Sequence, residues 1–381
     1  MDDDHRCTGS LPISNLPCIE VAPLVRQSLP VNAVSGQEVT PRLSTARKGD
    51  SMVKINQRIA RIAICFAAAS SALTGLVLAD KLPKSSSGSC FSADSRDQTL
   101  REVPCDLSTI QVAARSGEVY AQNQLGLVAA LTVENGRDIR DARSWFEKAA
   151  RRGYAPAQVN LAVTYINGWG TRKNYGAALN WLTAAAKQNH PRAYANLGIL
   201  YMNGLGVRRD YAEALKYLQL AANAGEAGAQ ANLGYLYDGG LAVVQDYSAA
   251  VRWYRLSAEQ GNALGQNNLA DLYLRGLGVQ QSYHDAFFWF QKSAQQGCTA
   301  ASIKLGFLLM NGLGTAKDPA TAYSWLLSAS QAGDHRGDEY LHTLESLLSQ
   351  RQLADARTRP ESRPAASLRI APQIVASSLV Q

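Results

Sequence analysis

Residues 193–225 read AYANLGILYMNGLGVRRDYAEALKYLQLAANAG. Two features of this stretch decide the fold. Ala193, Leu197 and Tyr201 recur at helical spacing and share one stripe, with Gly198 beside them. A residue without a Cβ at that place lets a neighbouring helix approach closely. Gly204 and Gly206 then stand one residue apart and permit φ > 0, so the chain can reverse in a few residues. Asp210 follows, with Glu213 three residues on, the pattern of a capping box that opens a second helix. That helix carries Ala214, Tyr217, Leu218 and Ala221 on its apolar side and stops at Gly225. The stretch predicts a helical hairpin.

The same hairpin recurs six times with a period of 36 residues and no insertion or deletion. Leu125, Leu161, Leu197, Leu233, Leu269 and Leu305 mark the first helix, each followed by Gly or Ala. Tyr165, Tyr201, Tyr237 and Tyr273 keep the same step, as do Trp145, Trp181, Tyr217, Trp253, Trp289 and Trp325 in the second helix. The tyrosines and tryptophans of the repeat are expected in the core. The N-cap position holds Asp138, Asn174, Asp210, Asp246, Ser282 and Asp318, each able to accept from free helix N–H groups. A single hairpin cannot bury its own apolar face; stacked copies make a continuous core. The fold class predicted is all-α, an α/α solenoid of 36-residue hairpins.

These residues resemble the Sel-1-like repeat family, relatives of the tetratricopeptide arrays. The third unit follows the family pattern Ala-x-x-x-Leu-Gly-x-x-Tyr-x-x-Gly-x-Gly-Val, then Asp, Ala and a closing Gly, with Tyr217-Leu218 where the pattern has Trp-Tyr. The resemblance covers residues 117–337 and implies a right-handed superhelix with a scaffold or adaptor role. Two departures stand out. The first unit has Thr132 and Glu134 where Gly168 and Gly170 later stand, and the last has Leu309 in the tyrosine's place. Residues 338–357, with Leu341, Leu344, Leu347 and Leu348, predict a capping helix over the last hairpin. The tail 358–381 is Pro/Ala/Ser-rich and is expected to be disordered.

The N-terminal flank has a different texture. Residues 1–51 lack periodicity and are expected to be disordered. Lys54, Arg58 and Arg61 then precede residues 62–79, 18 residues without a charge, closing on Val77-Leu78-Ala79. Basic, apolar and small-residue segments in this order make a secretory signal, while the same length can remain as a membrane anchor. A translation start at Met52 favours the signal; residues 1–51, if retained, favour the anchor. Either reading puts the repeats outside the cytoplasm, periplasmic, extracellular or membrane-anchored. Residues 80–116 read as a linker, in which Cys90 and Cys105 either form a bridge suited to an oxidising compartment or stay as thiols.

The net charge of +7 is thinly spread, and no stretch interleaves clustered Lys/Arg with aromatics as nucleic-acid binding requires. No catalytic constellation emerges. The five histidines form no metal-type pair, and the recurrent Gly-x-Gly lacks the further residues of a phosphate loop. The resemblance brings a β-lactam or cell-wall hydrolase into view, but the one Ser-x-x-Lys is Ser51–Lys54, outside the repeats. No cofactor or metal is expected, and the chain reads as a non-enzyme. The partner expected is a protein or extended peptide, held by a scaffold; a regulator of an envelope signalling or secretion system is the alternative.

On the first helices, the side opposite the packed stripe carries Asn160, Asn196, Asn232 and Asn268 at fixed pitch. Each amide offers donors and an acceptor to a passing backbone. The same row also suits a purely structural task, tying one hairpin to the next. Around it Tyr235, Asp271 and Phe307 vary in character, as a selective surface should.

Overall fold

A computed structural model describes residues 89–93, 100–104, 107–131 and 136–358. The stretches 1–51 and 52–79 and the tail beyond Thr358 lie outside the described residues. Among the described residues fifteen α-helices follow a short β-hairpin: α1 Leu107–Arg115, α2 Val119–Leu131, α3 Gly136–Arg151, α4 Ala155–Asn167, α5 Tyr175–Ala186, α6 Pro191–Asn203, α7 Tyr211–Asn223, α8 Ala227–Gly239, α9 Tyr247–Glu259, α10 Ala263–Arg275, α11 Tyr283–Gln295, α12 Thr299–Asn311, α13 Pro319–Gln331, α14 Asp338–Leu347 and α15 Gln350–Thr358. The chain divides after Asp246 into two compact bodies, one carrying α1–α8 and the other α9–α15. Within each body the helices up to α13 pack on their neighbours in sequence, the contact pattern of a solenoid of hairpins, and α14 and α15 both pack on α13.

Local chemistry explains the hairpins. Asn174 accepts from the Ala177 N–H, Asp210 from those of Ala212 and Glu213, Ser282 from that of Asp285, and Asp318 from that of Thr321. These bonds satisfy donors that a helix start leaves free. From the second unit on, first helices end on a glycine in the left-handed region, as at Gly204 (φ 68°). The second loop glycine meets the preceding hairpin: a Cβ on Gly206 would lie 2.6 Å from Tyr175 Cβ, at the head of α5. In the fourth unit that place is taken by Ala242, held at φ 59°.

The core is built on a size match within each hairpin. A Cβ on Gly198 would lie 2.6 Å from Leu218 Cγ, and one on Gly126 would lie 2.4 Å from the Phe146 ring. The large partner residues, Phe146, Leu182 and Leu218 in one body and Phe290 and Leu326 in the other, are fully buried. Each follows directly on the Trp/Tyr row. That row is itself half-buried at Trp145, Trp181, Tyr217, Trp253 and Trp289, against the sequence expectation. Position 218 faces the first helix and position 217 lies at the rim, where Tyr217 stacks on Tyr201 with centroids 5.7 Å apart. Trp325 alone in the row is fully covered, because α14 and α15 close over α13: Ser324 Oγ donates to the Ala356 carbonyl at 2.6 Å.

Three boundaries differ from the sequence reading. Residues 80–116 are not wholly irregular. Ser89–Ala93 and Leu100–Pro104 pair antiparallel, Cys90 opposite Val103; Cys105 lies outside the described residues, and Cys298 is disulfide-bonded. Leu107–Arg115 is a helix that buries Ile110 and Ala114 against α2, so half a hairpin precedes the first full unit. Helix α3 starts at Gly136, which puts Asp138 inside the helix rather than at its cap. At the C-terminus, a 3₁₀ turn and two helices stand where one capping helix was expected, because Leu348 is extended (ψ 140°) and breaks the run.

Candidate binding surface of the first helices

The asparagine row does not form one open ladder of amides. Asn160 is buried on α4, and its Nδ2 donates to Asn123 Oδ1 of the preceding hairpin at 2.9 Å. Asn196 on α6 is half-buried and donates to the Arg192 carbonyl at 2.8 Å. Asn232 on α8 is buried and donates to the Gly228 carbonyl at 2.9 Å. Asn268 on α10 accepts from Asn267 Nδ2 at 2.9 Å. Of the two readings of the row, gripping a partner or tying hairpin to hairpin, the bond of Asn160 is of the second kind, and both Asn160 and Asn232 are buried. Asn160 ties hairpin to hairpin, and Asn196 and Asn232 bond their own helices one turn back.

One turn further along the first helices, the side chains are half-buried in the second to sixth units, while Leu127 of the first is buried. In the first body these are Val163, Ile199 and Tyr235; in the second, Asp271 and Phe307. Asp271 pairs with Lys304 of the next hairpin at 2.5 Å and with Arg275 at 3.2 Å. Phe307 lies 6.0 Å from the Tyr340 ring of α14, so the capping helix takes up one side of it. The frame beneath these residues is constant while their character runs from aliphatic through phenolic and acidic to aromatic.

Titratable groups gather at the heads of α6 and α8. His190 precedes α6, and its Nδ1 is buried without a hydrogen-bond partner. Burial, helped by the positive charge of Arg192, holds this imidazole down at about 4. Burial raises the Glu226 carboxyl, which the Arg192 guanidinium partly offsets. On α2, burial pushes the Tyr120 hydroxyl up to about 12. At the start of the capping turn, Asp334 is held low chiefly by its hydrogen bonds from Arg336, and Thr299 Oγ1 donates to it at 2.7 Å.

A second row went unread in the sequence. Gln122, Gln158, Gln230 and Gln266 stand on the 36-residue step three places before the repeat leucine. Gln122, Gln158 and Gln230 in the first body and Gln266 in the second donate to carbonyls near the end of the preceding second helix: Ala114, Ala150, Ala222 and Ala258. Gln188 and Gln296 reach over and donate to Gln158 and Gln266. These amides, more than the asparagines, lace one unit to the next. Their signal was the spacing itself, hidden because Tyr194 and Ser302 interrupt it.

Among the described residues no group of His, Cys, Asp and Glu is arranged to hold a metal ion, and no helix is long and apolar enough to cross a membrane. Fold and surface together define a helical-repeat protein of the kind that presents side chains to other proteins. The Sel1 repeat model matches six consecutive segments, 119–154, 155–190, 191–226, 227–262, 263–298 and 299–334. The chain belongs to the Sel1 repeat family, whose members generally serve as protein-interaction scaffolds and typically carry no catalytic centre. It is similar to the crystal structure of a Sel1 repeat protein from Oxalobacter formigenes, 33% identical, with a TM-score of 0.53 over 58% of this chain and 89% of that one. It is also similar to c5321, a protective antigen of uropathogenic Escherichia coli strains with an SLR fold, 32% identical over 68% of this chain and 64% of that one, with a TM-score of 0.42. No curated protein matches the chain.

Proposed function

We propose that the chain is an exported scaffold, periplasmic, extracellular or membrane-anchored, that recruits a protein or extended peptide on its first helices. The observation that carries this reading is the constant frame beneath a varying row: Val163, Ile199 and Tyr235 in one body, Asp271 and Phe307 in the other. Residues that only pack are held to one size by their neighbours, as Gly198 is by Leu218. A row released from that constraint is free to be selected for a partner. Asn196 in the first body and Asn268 in the second, each half-buried one turn before its own unit's member of the row, add polar groups. Export is supported by Lys54, Arg58 and Arg61 ahead of 18 uncharged residues.

The test has two arms. A reporter that works only outside the cytoplasm, fused after residue 110, should be active, and Leu76→Arg with Leu78→Arg should silence it. Charge in an apolar export core costs roughly 2.5–3.5 kcal/mol per residue. Capture from envelope extracts with the full chain should retain a protein that the Ile199→Arg, Tyr235→Arg variant loses. An active reporter in the double-arginine variant overturns export; a capture set identical for both proteins overturns the surface.

A further inference from the structure

Two hairpin loops of the first body carry adjacent pairs of cations, which neither equivalent loop of the second body has. The loop before α5 ends Arg172-Lys173-Asn174 and the loop before α7 ends Arg208-Arg209-Asp210; all four cations are exposed. At the same places the later loops have Gln280-Gln281 and Ala316-Lys317. The basic loops are neighbours. Gly206 sits against Tyr175 at the head of α5, and Gly170 sits against the backbone of Arg140, itself exposed on α3. Arg140, Arg172, Lys173, Arg208 and Arg209 therefore follow one edge of this body, hairpin by hairpin.

Among the described residues none of these five has an ion-pair partner. The nearby carboxylates are engaged: Asp210 accepts from two helix N–H groups and Glu213 pairs with Lys216 at 3.5 Å. Asp141 and Asp246 flank the row. The heads of α5 and α7 open on the same edge and add their dipoles to the positive field. Arg209 lies 5.5 Å from the Tyr211 ring, which steadies its guanidinium. A bilayer would ask for large apolar side chains beside the cations, and in this body's described loops Val244 is the large apolar side chain left exposed. Packed helices stand about 8–10 Å apart and an extended chain rises about 3.3 Å per residue. Acidic side chains about three residues apart would meet successive loops.

We propose that this edge docks an extended acidic segment of a protein partner, with Asp or Glu at about every third residue. The proposal rests on the scaffold reading and names the chemistry of the partner. The full chain is titrated against a fluorescein-labelled peptide of repeated Glu-Gly-Ser, against its Gln-Gly-Ser counterpart, and against phosphatidylglycerol vesicles. The Glu peptide should bind, weaken as salt is raised, and bind about tenfold or more weaker to the Arg172→Gln, Lys173→Gln, Arg208→Gln, Arg209→Gln variant. Lys317→Gln should leave binding unchanged, and circular dichroism should report the same helix content in all proteins. Equal binding of both peptides, an unaffected quadruple variant, or binding to vesicles alone overturns the proposal. A captured partner that binds the quadruple variant as tightly as the native chain also overturns it, while leaving the scaffold reading in place. Failure of that reading shows separately, as a capture set insensitive to Ile199→Arg and Tyr235→Arg.

Discussion

Gly198 on α6 and Leu218 on α7 meet so closely that a methyl group added to the glycine would stand 2.6 Å from the leucine Cγ. Replacing Gly198 with Ala should therefore lower the melting midpoint of the full chain. Overpacking costs about 1–3 kcal/mol, and the helix propensity of Ala returns about 1 kcal/mol. Trimming the neighbour, as Leu218→Ala in the Gly198→Ala background, should lose less than the two changes summed, since one relieves the other. A midpoint raised by Gly198→Ala alone would contradict the size match.

The loop positions make an opposed pair of predictions. Gly206 has φ 73° and presses on Tyr175, whereas Ala242 occupies the equivalent place with φ 59° despite its Cβ. The left-handed region costs a non-glycine residue about 1–2 kcal/mol, offset in part by the freer unfolded chain that Gly brings. Ala242→Gly should stabilise the chain by up to about 1 kcal/mol, and Gly206→Ala should destabilise it by at least that much, both read from thermal melts.

Much of this architecture is legible from spacing, because a 36-residue period leaves little choice of hairpin boundary. The caps at Asn174, Asp210, Ser282 and Asp318 fall where their side chains imply. What escaped depends on relations between units. Ala113-Ala114 and Gly117 repeat Ala149-Ala150 and Gly153 one period earlier, yet half a hairpin lacks the leucine–glycine mark that reveals a unit. A single-helix projection puts the asparagines opposite the packed stripe. Asn160 and Asn232 are buried there, and whether an amide on that face meets solvent or a neighbour is settled by packing, not by period. For the same reason Phe307 could be read as a surface aromatic but not as a partner of Tyr340.

The Asn123–Asn160 bond joins two units through buried amides. Asn160→Ala and Asn123→Ala should each cost about 1–3 kcal/mol, since each leaves a buried group unpaired. The double variant should lose about 1 kcal/mol less than their sum. Additive losses in a thermal-melt cycle would show that the two amides do not act together.

His190 makes stability depend on acidity. Its folded form resists protonation until about pH 4, while an imidazole in the unfolded chain takes up a proton near 6.5. Above 6.5 both states are neutral and nothing is lost. Between 6.5 and 4 the unfolded state binds more protons, so stability falls as pH falls, by up to about 3 kcal/mol, and levels off below 4. Glu226, whose carboxyl is raised, acts in the opposite sense, so the quantity to measure is the difference between the native chain and His190→Gln. That difference should narrow as pH drops through this window; a constant difference would mean that His190 is not buried in its neutral form.

Residues that hold units together are distinct from residues that face a partner. The affinity of the captured partner, measured by calorimetry on the full chain, separates them most directly. Ile199→Arg with Tyr235→Arg should weaken binding tenfold or more, about 1.4 kcal/mol, with little change in melting. Asn160→Ala should melt lower and, where still folded, bind with native affinity. Native affinity in the arginine variant, or lost affinity in a folded Asn160→Ala protein, would contradict the account.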